Sequence, residues 1–244
     1  MNMRKICSTL VLVLLFFGAK SEIWFDLGIK GAYAPGVFIN SNVFSTSTQR
    51  LKYNHGFFAG GKIGVNFGLS HALVVEGLYT QTRQTINSTF TGLDNTVSLN
   101  TVDIPLMYRN NTDEGGYAEI GPQLSIVLGA EQTGAGVSND VTSDFLKSRW
   151  GLALGFGQYV GGGDAFGFDI GFRFAYTFSD ILAAKAATAT TSPIYQPQSP
   201  TEISEFNYSK TSRLYVGIAI EADFNLGYFT KGAACSKRTK FKMF

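Results

Sequence analysis

Charge is scarce in this chain. Only 16% of its 244 residues are charged, against roughly 25% in an ordinary soluble domain. That shortage, with no Lys-rich helical face, excludes a conventional water-exposed helical globule. Histidine occurs only as His55 and His71, too little for a His-rich metal centre. Cysteine occurs only as Cys7 and Cys235, and Cys7 falls in the leader described below. The lone Cys235 cannot build an intrachain disulfide, so it is a free thiol or an intermolecular partner. Beyond residue 18 no apolar run reaches the roughly twenty residues of a spanning helix, which excludes a helical membrane protein.

Positive charge is also missing where nucleic acid would need it. Arg4, Lys5 and Lys20 leave with the leader, and the net charge of +2 becomes −1. Five of the remaining basic residues, Lys231, Lys237, Arg238, Lys240 and Lys242, crowd the last segment. The body before them is acidic. No basic stripe runs through it, and nucleic-acid binding is excluded as a function class.

The N-terminus reads as a secretory signal peptide over residues 1–21. Arg4 and Lys5 form the positive region, residues 6–18 the apolar core, and Ala19-Lys20-Ser21 an A-x-S cleavage site. The mature chain is expected to begin at Glu22. The domain organisation that follows is a β-domain over residues 22–230 and a basic C-terminal tail over 231–244.

Within the β-domain the dominant pattern is period-two alternation, which marks strands with one apolar and one polar face. Phe166, Phe168, Ile170, Phe172, Phe174, Tyr176 and Phe178 alternate with Gly167, Asp169, Gly171, Arg173, Ala175 and Thr177. A helix would scatter those aromatics around its circumference. Seven other segments alternate similarly, each near the nine to eleven residues a tilted spanning strand needs. Their apolar sides begin with Phe25, Phe57, Leu73, Val102, Ile120, Trp150 and Leu214, and the third, carrying Leu73, Val75 and Tyr79, is the weakest.

Long links over 34–56, 82–100, 129–148 and 179–212 alternate with tight turns over 68–71, 110–116 and 161–164. Long outer loops and short periplasmic turns are the habit of transmembrane barrels. The fold class expected is therefore all-β, an eight-stranded antiparallel up-and-down transmembrane β-barrel with both ends periplasmic. The link over 179–212, with Pro193, Pro197 and Pro200, is expected to be a mobile surface loop without regular strands.

A soluble lipocalin-type barrel would show the same period with its apolar face inward. Volume decides between them. An eight-stranded lumen is only wide enough for side chains to fill it, and it could not hold the phenylalanine ladder. The opposite face carries Gly28, Gly60, Gly64, Gly121, Gly151, Gly155, Gly157, Gly167, Gly171 and Gly217. It also carries Asp26, Glu76, Asp103, Glu119, Asp169, Glu221 and Asp223 with Lys30, Lys62, Arg109, Arg173 and Arg213. Small residues and pairable charges belong inside, so the expected lumen is a polar plug. Aromatics near strand ends form two girdles: Tyr33, Phe57, Tyr79, Trp150 and Phe178 outside, and Phe25, Phe67, Tyr108, Phe166 and Tyr228 at the periplasmic side.

The runs Val102-Asp103-Ile104-Pro105-Leu106-Met107-Tyr108 and Tyr117-Ala118-Glu119-Ile120-Gly121-Pro122 resemble those of PorT-like outer-membrane β-barrel proteins of Bacteroidota. The resemblance implies an eight-stranded barrel in the bacterial outer membrane and, for some members, a part in type IX secretion. Many such barrels stop on an aromatic at the last strand, whereas this chain continues to Phe244.

No catalytic, cofactor-binding or metal-ligating residue is assigned. His55 and His71 fall at opposite ends of the strands and cannot share a metal. Ser70 beside His71 lacks the orienting carboxylate and oxyanion hole of a triad. His55 is the one candidate base for a lipid-processing enzyme, with Asp94 and Ser45 in neighbouring loops but at no spacing that ties them together. Glu221 and Asp223 share a strand face, as general acid/base pairs do, although salt-bridged lumen filling accounts for them. Gly161-Gly162-Gly163 precedes no helix and is not a phosphate loop. The function expected is a non-enzymatic membrane anchor. Its partners are outer-membrane lipid and a protein of the envelope or secretion machinery, with no nucleic acid and no small-molecule cofactor. A lipid-processing enzyme and a narrow solute channel are the alternatives.

Overall fold

The computed structural model describes residues 23–226 except 47, 90, 135, 164, 189–191, 196–199 and 205. The expected leader, Tyr228, Cys235 and the basic tail lie outside the described residues. Within them the chain is an antiparallel sheet of eleven strands: β1 (Ile23–Tyr33), β2 (Gly36–Ile39), β3 (Gln49–Lys52), β4 (Phe57–Phe67), β5 (His71–Ser88), β6 (Asp94–Asn111), β7 (Gly116–Gly134), β8 (Val137–Asp140), β9 (Ser148–Gly162), β10 (Phe166–Thr177) and β11 (Ser212–Asn225). Two five-residue helices, α1 (Ser41–Ser45) and α2 (Pro200–Ser204), sit in the connections.

Eight strands form a ring in the order β1-β4-β5-β6-β7-β9-β10-β11, and β1 closes it by pairing with β11 from Asp26↔Asn225 to Tyr33↔Ile218. Sequence alternation becomes a division between the faces of this ring. On β10, Arg173, Ala175 and Thr177 are buried, while Phe166, Phe168, Ile170, Phe172 and Tyr176 are exposed, as is Phe178 just past its end. The outer face is apolar around the circumference, with Ile29 63% exposed, Trp150 60% and Ile220 62%. The inner face is crowded wherever glycine stands. A Cβ at Gly157 would meet the Tyr117 hydroxyl at 2.6 Å, and one at Gly171 would meet it at 2.5 Å. The tight turns use glycine for its left-handed backbone, at Gly68 (φ 67°) and Gly115 (φ 87°).

Two prolines stand in the middle of ring strands, where a missing N–H breaks the ladder. The pairing of β5 with β6 skips Pro105, and that of β6 with β7 skips Pro122. Each gap falls on one side only: Pro105 still pairs with Gln123, and Pro122 with Leu152 on β9.

The structure corrects the expected strand lengths and loops. β5, β6 and β7 run for 18, 18 and 19 residues, well past the expected nine to eleven. Their extra turns of pleat rise beyond the ring because Thr, Gln and Asn continue the alternation without an apolar outer face. The links over 34–56 and 129–148 also hold strands: β2 continues the line of β1 along β11, β3 continues the line of β4 along β5, and β8 pairs with β7.

The link over 179–212 has no strand among its described residues before β11 begins at Ser212, as expected, yet it is not the free surface loop expected of it. Ile181, Leu182, Ala186, Ile194 and Tyr195 are buried in one apolar cluster with Phe38, Val43, Ile86, Val97, Leu99, Ala130, Val141 and Phe145. All four long links therefore contribute to a single core. A chain that buries its apolar side chains gains more than a solvated loop does, at roughly 25 cal/mol per Å².

Candidate functional site

The lumen is filled in layers. Nearest the short turns lies an ion network whose members come from seven ring strands. Lys30 on β1 reaches Glu76 at 2.8 Å, Glu119 at 3.1 Å and Glu221 at 2.9 Å. Arg109 donates to both Glu119 oxygen-side and Glu221 acceptors: Nη2 to Glu119 Oε2 at 2.8 Å, and Nη1 to Glu221 Oε1 at 2.7 Å. Its guanidinium also lies 4.1 Å from the Tyr117 ring centre. Arg173 ties Glu76 at 2.7 Å to Glu119 at 2.5 Å, and Lys62 pairs with Glu221 and with Asp223 at 2.8 Å. Buried charges persist only when paired and hydrogen-bonded in this way.

A second layer is apolar. Phe58, Leu78, Met107, Ala153, Ala175, Tyr215 and Ala219 pack together across the lumen, which corrects the expectation of a wholly polar plug. Beyond it Arg213 holds Asp103 through two bonds of 2.8 and 2.9 Å, Ser125 at 3.0 Å and Thr101 at 2.7 Å. Arg149 caps this level by donating to the carbonyls of Leu146 and Ile181 at 2.6 and 2.7 Å.

The folded long links close the far end as a cap. β2 leans across the mouth, and the Phe38 N–H donates to Gln84 Oε1 at 2.5 Å. Asn40 caps α1 and also donates to Ser209 O at 2.9 Å and Thr211 Oγ1 at 2.7 Å. Thr46 and Thr48 both donate to Glu202 of α2 at 2.7 Å. Leu146 N–H donates to Ile181 O at 3.0 Å, and Phe145 bridges Leu182. A cleft of about 330 Å³ opens among Gln49, Asp94, Asn95, Gln132 and Asn139. At its edge Lys52 and Asn87 hold the Asp94 carboxyl below the usual carboxylate range.

The residues weighed for chemistry stay apart. The His55 Nδ1 shares a hydrogen bond of 2.8 Å with the Tyr33 hydroxyl, which also meets Tyr53 at 2.6 Å. Asp94 is engaged by Lys52 and Asn87, and Ser45 donates to Asn42 O within α1. His71, at the other end of the ring, meets Tyr108 at 2.8 Å and stacks on its ring. Glu221 and Asp223 belong to the ion network. The cap core escaped sequence reading, because its members are spaced without period across four links.

The outer membrane protein beta-barrel domain family matches residues 21–183, more than half of the chain. No curated protein matches it. Solved structures with similar folds include Ail, the attachment invasion locus protein of Yersinia pestis, in complex with the heparin analogue sucrose octasulfate (13% identity, 82% of this chain and 99% of that one, TM-score 0.40). The Neisserial surface protein A is 14% identical over 81% and 95% of the two chains, with a TM-score of 0.42. OprG of Pseudomonas aeruginosa is 10% identical over 85% and 98%, at 0.45. None is close enough to lend its ligand or role. With the ring, its apolar outer face and the match over residues 21–183 together, the chain belongs to the outer membrane protein beta-barrel domain family and resides in the bacterial outer membrane.

Proposed function

We propose that this protein is an eight-stranded up-and-down transmembrane barrel, closed to solutes and without catalytic activity, that anchors a folded extracellular platform for a protein partner. The observation that carries this reading is the core shared by the four long links. Loops that bury thirteen residues together hold a fixed surface, and a fixed surface binds at a lower entropic cost than a mobile one. The lipid belt is the exposed apolar band from Phe25 and Trp150 to the β10 ladder. The short turns, the start of β1 and the end of β11 face the periplasm, residues 1–21 are a cleaved leader, and 231–244 are the basic tail.

Within the family, a PorT-like assignment rests on residues 102–108 and 117–122, which lie on the neighbouring strands β6 and β7, meet at Tyr108↔Ile120 and supply Asp103 and Glu119 to the lumen. A partner in the envelope or secretion machinery accords with that likeness.

Site-specific photocrosslinking tests the platform. Val137 and Tyr53 are exposed on the cap, and Asp113 lies in a short turn. Crosslinkers at the first two positions in native outer membranes are expected to capture one reproducible protein that the third does not. Capture of nothing, or of the same protein from Asp113, would refute the platform. Planar-bilayer recording should show no large stable conductance, and His55→Ala should leave lipid A composition unchanged.

A further inference from the structure

The lumen near the short turns holds more negative than positive charge. Among the described residues six carboxylates converge there, Asp26, Glu76, Glu119, Asp169, Glu221 and Asp223, around the four cations Lys30, Lys62, Arg109 and Arg173. Two negative charges remain uncompensated. In a low-dielectric interior such a surplus costs several kcal/mol per ion and calls for a counter-charge.

The surplus is local. Glu76 is held by Lys30 and Arg173, while Glu119 and Glu221 are each held by three cations. The three aspartates take what is left. Asp223 Oδ2 accepts from Lys62 at 2.8 Å, Asp169 stands 3.7 Å from Arg109, and Asp26 Oδ2 accepts from Asn66 at 2.5 Å. Asp223 is only 7% exposed, and its Oδ1 has no partner among the described residues; the same holds for Oδ1 of Asp26, 4% exposed. Asp169, Glu221 and Asp223 each bring an oxygen within 4.8 Å of the others. Asp169 and Asp223 line a vestibule of about 410 Å³ that also borders Tyr117, Tyr159 and Gly162 at the short-turn end.

We propose that this vestibule binds a hard divalent cation of the calcium type at its inner wall, held by a carboxylate oxygen each of Asp169 and Asp223, with an oxygen of Glu221 within 4.8 Å of both. Carboxylate oxygens are the ligands such ions take, and the vestibule leaves room for the water that completes an irregular shell. Lys62 and Arg109 stand beside the site and oppose the ion, so the expected affinity is modest, about 10⁻⁴–10⁻³ M. A proton on one aspartate is the competing compensation, and it needs no metal.

Terbium luminescence separates the two. The full chain, folded in detergent and stripped with EDTA, is titrated with Tb³⁺ at neutral pH. Tyr117 and Tyr159 line the vestibule and serve as sensitisers. Emission displaced by Ca²⁺ and not by Na⁺ at the same concentration is expected. Asp223→Asn and Asp169→Asn should each raise the Ca²⁺ needed by more than about tenfold, whereas Glu131→Gln at the far end should not. Heat-modifiable mobility identifies the variants that fold; if Asp223→Asn does not, Asp169→Asn decides alone. Absence of Ca²⁺-displaceable emission in the wild type, or unchanged Ca²⁺ demand in a folded aspartate variant, overturns the proposal in favour of the proton.

Discussion

At the short-turn end Lys30, Lys62, Arg109 and Arg173 bind Glu76, Glu119 and Glu221 into one buried network. At the long-loop end Phe38, Val97, Leu99, Phe145 and Ile194 pack in a core built from side chains without charge. Both regions are built of buried side chains, but they depend on different supports. The network needs every partner fixed in direction, and ring strands supply that because register places each side chain. The cap needs only contact and volume, which loops of irregular backbone can provide. Damage to the first region should therefore spread through the ring, and damage to the second should stay local.

The sharpest way to break this comparison is to remove one of the two carboxylates that three cations share. Glu119→Gln takes away one charge that Lys30, Arg109 and Arg173 share, and it is expected to destabilise the whole ring by about 3–5 kcal/mol. The urea midpoint of folding into lipid vesicles should fall, with loss of the heat-modifiable band at intermediate urea. A variant that loses only its cap would contradict the account.

In the cap, Phe38→Ala leaves a cavity at the centre of the core and should cost about 3 kcal/mol. The loss should appear as rapid protease nicking within 179–212 while the ring keeps its heat-modifiable mobility. Between the regions lies Arg213, and Arg213→Met is expected to cost about 1–3 kcal/mol by leaving Asp103 buried and unpaired. Its effect should register in both assays, since Asp103 belongs to a ring strand and Arg213 stands at the entry of β11. A response confined to one assay would place the boundary elsewhere.

The smallest effect concerns acid. The Asp94 carboxyl is held below its ordinary range by Lys52 and Asn87, so its contribution is present above the unfolded carboxylate value and disappears as pH falls through the folded one. The melting temperature of Asp94→Asn should lie slightly below the wild type at neutral pH and converge with it in acid. A gap that widened on acidification would reverse the sign.

How much of this was legible in the sequence depends on contrast between faces. The β10 ladder reads plainly because every outward residue is large and apolar and every inward one is small or charged. The third predicted strand reads weakly for a reason now visible: Ala72, Val74 and Leu78 are buried inside the ring while Leu73 and Val75 face outward. Both faces are apolar, so the period loses its amplitude. Its outward continuation fails in the opposite way, since Thr80, Thr82 and Gln84 are buried between equally polar neighbours.

The interior charges were all identifiable as one face, but their pairing was not, because it depends on register across strands far apart in sequence. Glu221 meets Arg109 over 112 residues. The cap core had no period to announce it. Ile181, Leu182, Ala186, Ile194 and Tyr195 sit in an Ala- and Thr-rich stretch whose composition suggested mobility, and partners from all three other long links make them a core.

The seam between β1 and β11 carries a consequence for biogenesis. The first strand synthesised finds its second neighbour only when the last has been made, from Asp26 with Asn225 to Tyr33 with Ile218. Until then both edges offer unpaired backbone groups to any passing strand. Synthesis of an N-terminal portion alone thus yields an open, adhesive sheet, and a chaperoned wait for the C-terminal strand is written into the topology.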